Sequence, residues 1–388
     1  MLRIKTYDNV AVQGLELLDS SLYQVGPEVE NPDGIIVRSS SLHEVAIDDS
    51  LRVVARAGAG VNNVPVTQLS ESGVVVLNTP GANANAVKEL VLTGMLLACR
   101  NICSAWDYVK QLSGDQAEMN KQVEGQKKQF VGCELPGRTL GVIGLGAIGV
   151  SVANAAVALG MEVIGYDPCM SIDNAWKLNA SVVQATSEKD VIARSDFISL
   201  HVPLNSHTES MVNESFLSSA KDGLVLLNFS RGGVIDSAAI KSALEQGKLG
   251  QYVSDFPDKA LVKQPGVISL PHLGASTQEA QVNCAVMAVR QMIDFLEHGH
   301  IHNSVNFPSV KLSGGNVNRL AVINRNVPSM LASISTALSD FSLNIMDMVN
   351  KSRDELAYTL VDVDSAISPA VLEAVNKIDG VVKTRVVR

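Results

Sequence analysis

The chain of 388 residues is short of cysteine, of positive charge and of long apolar runs. Its five cysteines (Cys99, Cys103, Cys133, Cys169 and Cys284) form no C-x-x-C pair. That suits a reducing cytoplasm, and no metal site is expected. Cys99 and Cys103 fall on one helix face, where packing is the simpler role. Lys and Arg number 31 against 40 Asp and Glu, a net charge of -9. Such a balance argues against non-specific binding to nucleic acid, and any anion site must then be built from particular arginines. Met1 to Thr6 reads as a short strand, and no long apolar region follows it, so no signal peptide is expected. The apolar stretch from Val150 to Leu159 is too short to span a bilayer.

What is present begins with Gly141 to Gly149. Val142 and Ile143 end a buried strand, and Gly144, Gly146 and Gly149 give G-x-G-x-x-G. Ala147 to Leu159 then reads as a helix stopped by Gly160, and Met161 to Tyr166 as a strand with Asp167 at its end. The first two glycines allow a tight turn and a close approach to a pyrophosphate, and the third allows close packing of helix on sheet. The helix N-terminus faces the phosphates, and Asp167 can accept hydrogen bonds from an adenosine ribose. A carboxylate there repels a 2'-phosphate, so NAD is expected over NADP. The alternative is a tight turn in an α/β core.

The composition, 46% hydrophobic and 18% charged, supports ordinary cores, and this length predicts two or three domains. Short buried strands are expected at Gly34–Ser40, Leu51–Arg56 and Val74–Asn78, then a helix from Asn85 to Cys103 and a polar surface loop with helical parts over Lys110–Gln129. From Gly137 to Pro271 strand and helix alternate. Further strands are predicted at Phe197–His201, Leu224–Asn228 and Val267–Leu270. Asp236 is placed to cap a helix from Ser237 to Gln246, ended by Gly247. Ser276 to Glu279 reads as a capping box opening a long helix to His298, and Asn306–Gly315 as a linker. Beyond it, strands and helices at Leu320–Asn324, Pro328–Phe341, Leu343–Asn350, Tyr358–Val363, Pro369–Lys377 and Val381–Val387 spell an independent βαββαβ unit.

Three further loops follow predicted strands, where open α/β sheets bind ligands. In Asn228–Asp236, Arg231 beside Gly232 and Gly233 can bring a two-pronged donor to a carboxylate. In Leu270–Ser276, His272 can shuttle a proton near neutral pH. In the first part, Arg38–Ser39–Ser40 and Arg56 to Gly60, with Gly58, place an arginine and a small-residue turn past a strand. Two such arginines suit an anionic substrate, a phosphorylated one among them. The simpler roles are a surface arginine, a structural histidine and separate surface arginines.

Residues 1 to 310 resemble the D-isomer-specific 2-hydroxyacid dehydrogenases. The segments that carry the likeness are Arg56–Val64, Asn78–Gly81, the Gly144 loop with Tyr166–Pro168, His201–Leu204, Asn228–Asp236 and Pro271–Thr277. The last of these and Arg56–Gly58 point to the branch that oxidises D-3-phosphoglycerate to 3-phosphohydroxypyruvate at the start of L-serine synthesis. The tail resembles an ACT domain, a small-molecule sensor. The resemblance implies an α/β fold of two Rossmann-like parallel-sheet domains plus a small α+β ACT domain. It implies a discontinuous substrate domain at 1–92 and 276–310, an NAD-binding Rossmann domain at 93–275 and a regulatory domain at 316–388. By the same resemblance Arg231 holds the substrate carboxylate and C2 oxygen, and His272 takes the C2 hydroxyl proton. Gly144, Gly146, Ala147, Ile148, Gly149 and Asp167 contact the dinucleotide. Val202, Phe229, Ser230 and Asp255 line its nicotinamide half. Arg38, Ser39, Arg56 and Gly58 hold the substrate phosphate, and a homodimer or higher homo-oligomer is implied.

Two departures accompany the likeness. The family pairs the histidine with a glutamate in a D-V-F-x-x-E-P type segment. Here Asp255 to Leu261 puts Lys259 or Ala260 at that place, with Asp258 the nearest acid. Either His272 carries the proton alone, or Lys259 assists or replaces it. In the tail, the N-x-P-G loop of serine-sensing ACT domains reads Asn326-Val327-Pro328-Ser329, with serine for glycine. Asn324, Asn326 and Asn344 are the candidate effector residues, with serine as effector or, alternatively, a purely oligomerising role. Two rival functions stay open: the same chemistry on another D-2-hydroxy acid, and an NAD-sensing regulatory binder with little turnover.

Overall fold

A computed structural model describes residues 1–314 and 318–387. The end of the predicted linker, Gly315, and the expected first residue of the tail, Asn316, lie outside them, as does Arg388. The chain divides into two compact units, residues 1–82 with 278–388, and residues 83–277.

The first unit begins with five short strands: β1 (Leu2–Thr6), β2 (Tyr23–Gly26), β3 (Gly34–Val37), β4 (Val53–Arg56) and β5 (Val75–Leu77). They form one parallel sheet in the order β2-β1-β3-β4-β5. β3 is buried along its whole length, as expected of an apolar run covered on both faces. The sheet's order reverses between β1 and β3, and Arg38–Ser40 follow β3 at that point. Val37 pairs with Arg56 in the register of β3 and β4, so the two predicted substrate arginines stand at neighbouring strand ends.

The second unit holds β6 (Thr139–Ile143), β7 (Glu162–Tyr166), β8 (Val183–Gln184), β9 (Phe197–Leu200), β10 (Leu224–Asn228), β11 (Leu249–Ser254) and β12 (Val267–Ser269). All pair in parallel in the order β12-β11-β10-β9-β6-β7-β8, which reverses between β6 and β9. β11 was not legible in the sequence. Its Leu249-Gly250-Gln251 start breaks the apolar run, and a Cβ at Gly250 would stand 2.7 Å from the carbonyl oxygen of Gly223, so glycine is required by the close approach.

One helical expectation is corrected. The helix predicted over Asn85–Cys103 runs Ala84–Cys99 and is then broken, because Asn101 takes a left-handed φ of 51°. Asparagine tolerates this conformation, and here its side chain is held, donating to the Val131 carbonyl at 3.2 Å and accepting from Gln251 at 2.8 Å. A second helix, Ile102–Lys110, follows. Within the polar stretch Lys110–Gln129, the expected helical parts include Gln116–Gln126, with a capping box between Asp115 and Glu118. The signal for it, an acid three residues before a glutamate, was present but lacked an apolar face to announce it.

The tail is the βαββαβ unit expected: β13 (Asn318–Arg325), helix Met330–Asp340, β14 (Ile345–Arg353), β15 (Leu356–Val363), helix Pro369–Asn376 and β16 (Val381–Val387). Its antiparallel sheet runs β14-β15-β13-β16. Along β15 every residue is buried. Alternate side chains enter different cores: Val361 and Val363 join Leu320, Val322, Ile334 and Val371, while Tyr358 and Leu360 join Ala321, Ile323 and Phe295. Strand side chains alternate in direction, so a sheet covered on both faces must be apolar throughout. Phe295 lies on the helix Gln278–His298, so the tail shares a core with the first unit's body and is not independent of it.

Candidate active site in the second unit

The glycine loop shows why each glycine is needed. Gly144 has φ +92°, and a Cβ there would lie 2.5 Å from the His201 carbonyl oxygen. At Gly149 a Cβ would lie 1.9 Å from the Gly144 carbonyl oxygen, which fixes the helix Ala147–Ala158 tightly against its own turn. Around Gly146 a Cβ would meet nothing within 4 Å. The open space is at the helix N-cap, where backbone N–H groups are aimed outward and favour an anion. Ala147 is exposed and Ile148 half-buried beside it.

Asp167, half-buried just past β7, ties the loop to that strand. Its Oδ2 accepts from the Leu145 N–H at 2.7 Å and its Oδ1 from the Cys169 N–H at 2.8 Å. Each carboxylate oxygen retains acceptor capacity for a ribose hydroxyl. Past β9, the His201 ring is enclosed. Nε2 meets the Ser199 hydroxyl at 2.8 Å, and Nδ1 is sealed from solvent without a partner. Burial lowers its pKa to about 4, so the ring is neutral. Val202 follows, half-buried.

The loop past β10 is organised by a residue the sequence reading quoted but gave no role. Asn228, fully buried, donates to the Arg231 carbonyl at 3.0 Å and accepts the Ser230 hydroxyl at 2.8 Å. This side chain folds the turn and presents Arg231, whose Nη1 donates to the Ser230 carbonyl at 2.7 Å. Phe229 packs inward with the core of the helix Ala84–Cys99: a Cβ at Gly94 would touch its ring at 2.8 Å. Ser230 is buried and its hydroxyl is spent on Asn228. The two residues therefore shape the wall through their backbone and packing.

Past β11, Asp255 is 1% exposed. Burial raises its pKa, opposed by His272, by the Gly274 N–H at 3.2 Å and by Arg231. Its other oxygen, Oδ1, is buried and has no partner. His272, exposed just past β12, lies against Phe256 with ring centroids 4.6 Å apart. A cavity of about 310 Å³ opens here, lined by Gly232, Tyr252, Asp255, Phe256, Asp258 and His272 among others. Lys259 is exposed and is not among its lining residues. Asp258 is, but its carboxylate accepts the Ser237 hydroxyl at 2.6 Å and the Ala260 N–H at 2.6 Å. The acid nearest in sequence to the family's glutamate is thus held by the loop and the helix Ser237–Glu245.

In the first unit, the backbone N–H groups of Arg38, Ser39 and Ser40 all donate to Asp8, at 3.0, 2.8 and 3.0 Å. Burial would raise the Asp8 pKa, but the Ser40 hydroxyl and these N–H groups hold it at about 2. The turn's donors are occupied, and any anion here is left to the side chains. The Arg56 guanidinium occupies the room that Gly58 leaves: a Cβ there would lie 1.5 Å from Nη1. In the tail, Asn324 is buried and donates to the Arg325 carbonyl at 2.7 Å, with Oδ1 unpartnered. Asn326 and Asn344 are exposed; the Asn344 N–H donates to the Asp364 carboxylate at 3.2 Å and the Asn344 carbonyl accepts the Asp364 N–H at 3.1 Å.

Among the described residues one group could hold a metal: Asp294 with His300 at 3.0 Å and His302 at 2.9 Å. A hydrogen-bonded reading satisfies it. His300 Nδ1–H donates to Asp294 while its Nε2 faces the Arg319 guanidinium at 3.3 Å. All five cysteines are free, and no helix among the described residues is long and apolar enough to cross a membrane.

Six of the seven strands of the second unit thus end in a residue of the predicted site, around the point where strand order reverses. Comparison with known proteins gives this arrangement its class. The sequence profile of the D-isomer specific 2-hydroxyacid dehydrogenase NAD binding domain matches residues 92–274. The chain is 32% identical over 370 residues to D-3-phosphoglycerate dehydrogenase of Methanocaldococcus jannaschii, covering 91% of this chain and 67% of that protein. It is 33% identical over 296 residues to D-3-phosphoglycerate dehydrogenase of Archaeoglobus fulgidus, covering 74% of this chain and 54% of that one. Among solved structures, a glyoxylate reductase from Paecilomyes thermophila superposes with a TM-score of 0.64 at 25% identity, over 78% of this chain and 98% of that chain. The chain belongs to the D-isomer specific 2-hydroxyacid dehydrogenase family, and the cofactor of its second unit is NAD. It spans between half and two thirds of the length of most of the curated relatives it matches. The open ground over Gly146 and the orphaned Asp255 oxygen fit a dinucleotide.

Proposed function

We propose that the protein oxidises D-3-phosphoglycerate to 3-phosphohydroxypyruvate with NAD, the entry to L-serine synthesis. One observation supports the chemistry above others: Arg231 and His272, from different strand ends, both act on Asp255 at one edge of the sheet. Bound NAD would supply the acceptor for the C2 hydride. Everything else falls to the chain's residues. Arg231 fixes the substrate carboxylate and C2 oxygen by two parallel donors. His272 removes the C2 hydroxyl proton, which makes the C2 hydrogen a better hydride. Asp255, whose Oδ1 is buried without a partner, would help to hold the nicotinamide half of the dinucleotide. Arg38 and Arg56 select the phosphate.

Lys259 has weaker support than in the sequence reading, because it is exposed and does not line the cavity. His272 is the proton carrier in this proposal, with Phe256 packed against its ring. The tail is proposed to act as an ACT-type sensor at Asn324, Asn326 and Asn344, with serine the ligand to test. A cytoplasmic homo-oligomer is the proposed setting.

The test is NADH oxidation with 3-phosphohydroxypyruvate, hydroxypyruvate and 2-oxoglutarate in parallel. A strong preference for the phosphorylated acid is expected. Arg231→Ala should lower kcat/KM on all substrates by about a hundredfold or more, the size of effect from losing one charge-assisted donor pair. Arg56→Ala should penalise only the phosphorylated acid. Equal use of the other acids would keep the dehydrogenase and discard the phosphoglycerate assignment; no turnover on any would favour a regulatory NAD binder.

A further inference from the structure

Within the first unit, the helix Gln278–His298 stops at Gly299, whose φ of +74° suits glycine as the residue after a helix end. A Cβ there would lie 2.9 Å from Leu360 Cδ2. The segment beyond the turn is pinned by Ile301, which pairs antiparallel with Val310. Side chains alternate along an extended segment, so His300 and His302 leave it on one side. There they meet Asp294, one turn before the helix end. His300 Nδ1 lies 3.0 Å from Oδ1 of Asp294, and His302 Nε2 lies 2.9 Å from Oδ2. The three ligating atoms all lie within 4.8 Å of one another. Around a tetrahedral zinc ion, ligand atoms stand about 3.3 Å apart, so the trio closes on an ion with little movement.

Hydrogen bonds hold the trio together without an ion, but one carboxylate then serves two imidazoles, and His300 Nε2 is left in a mixed setting. It lies 3.1 Å from the Leu312 carbonyl and 3.3 Å from Arg319 Nη1. With the proton on Nδ1, Nε2 turns a lone pair toward the carbonyl oxygen, the nearer of its two neighbours. With an ion on Nδ1, the proton sits on Nε2 and is donated to that carbonyl, the outer partner that ligating histidines have. Arg319 then gives up only its longest contact, since Nη1 keeps the His298 carbonyl at 2.9 Å. The His300 side chain is 11% exposed, that of Asp294 29% and that of His302 43%. Solvent thus reaches the outer side of the trio, where a water completes four-coordination.

We propose that Asp294, His300 and His302 bind a zinc ion, through one carboxylate and two imidazoles, with water in the fourth place. Imidazole with carboxylate suits zinc and its first-row neighbours, whereas magnesium and calcium take oxygen ligands. The role of the ion is structural. It clips the helix end to the pair Ile301 and Val310, beside the Leu312 carbonyl, which also accepts from Arg319 Nη2 at 3.1 Å. Arg319 in turn holds Asp362 of the tail. Zinc therefore stiffens the joint between the helix and the tail. Its three ligands share no residue with the proposed cofactor, substrate or effector sites, and the proposal does not depend on the dehydrogenase reading.

Isothermal titration calorimetry of the full chain, first stripped with a chelator, tests it with zinc chloride as the probe and magnesium chloride as the control. One zinc per chain is expected to bind in the micromolar range or tighter at this trio, and magnesium not to bind there. His302→Gln removes the most exposed ligand and should weaken that zinc by at least about a hundredfold, more than the loss of an outer partner costs. If that variant does not fold, Asp294→Asn, which keeps the side chain's shape, should weaken it as well. His207→Gln, an exposed histidine of the second unit, should leave it intact. Hydrogen exchange at the Ile301 and Val310 amides should slow when zinc is added to the unaltered chain, and not in the His302→Gln chain. Cobalt(II) in place of zinc should give the strong visible bands of a four-coordinate ion, lost in the same variant. Absence of micromolar zinc binding, affinity unchanged in a folded His302→Gln or Asp294→Asn chain, or exchange at Ile301 and Val310 indifferent to zinc overturns the proposal.

Discussion

At the scale of single residues, His201 couples the cofactor loop to pH. Its folded pKa of about 4 lies below the ordinary 6.5, because burial disfavours the charged ring. The unfolded chain therefore takes up the proton first. The stability tied to the neutral ring is whole above about pH 6.5, erodes as pH falls from there to about 4, and is lost below that, to a ceiling of about 3 kcal/mol. Urea unfolding at pH 7 and pH 4.5 should show this fall, and His201→Gln should flatten it. A second residue carries backbone strain: Ser329 stands at φ +68° before the helix Met330–Asp340, where the sequence pattern of serine sensors has glycine. A left-handed conformation costs a non-glycine residue about 1–2 kcal/mol. Ser329→Gly should raise the unfolding free energy of the tail by about 1 kcal/mol, less if glycine's greater freedom when unfolded counts against it, measurable by chemical denaturation.

At the scale of elements, the strand-turn-helix from β6 to the helix Ala147–Ala158 was readable because its glycines are dictated by backbone contacts that allow nothing else. Gly149→Ala puts a methyl 1.9 Å from a carbonyl oxygen of the same turn. The helix must shift, at about 1–3 kcal/mol of stability, and NADH affinity by fluorescence titration should fall by at least about tenfold, since the N-terminal donors move with it. Other elements hid for physical reasons. β11 was missed because Gly250 and Gln251 interrupt its apolar character, although it carries Asp255. The helix Gln116–Gln126 buries nothing, so no periodicity marked it. Asn101 broke a helix that its neighbours favoured, because tertiary partners held its side chain. In the site, Arg231 and His272 were legible from residue type and place after a strand. Asn228, Phe256 and Asp258 take their roles from side-chain direction, which spacing does not encode.

At the scale of the whole molecule, the tail is fastened to the first unit's body through an enclosed ion pair. Arg319 makes two parallel bonds to Asp362, at 2.6 and 2.8 Å, and also donates to the carbonyls of His298 at 2.9 Å and Leu312 at 3.1 Å. Both partners are buried, at 5% and 2% exposure. Asp362→Ala would leave the guanidinium charge enclosed without its partner, a loss of about 3–5 kcal/mol. A large drop in the melting temperature of the first unit is expected, with NADH binding by the second unit kept. The comparison separates the tail's structural role from any sensing role.

The way the chain is threaded through the two units has a consequence for synthesis. The second unit is one uninterrupted stretch, 83–277, whereas the first is assembled from segments on either side of it. On a ribosome adding about 5–20 residues per second, the cofactor unit can close while the strands β1 to β5 still wait for the helix Gln278–His298 and the tail that complete their core. The early strands are the portion of the nascent protein most in need of a chaperone's protection, and the last to become safe.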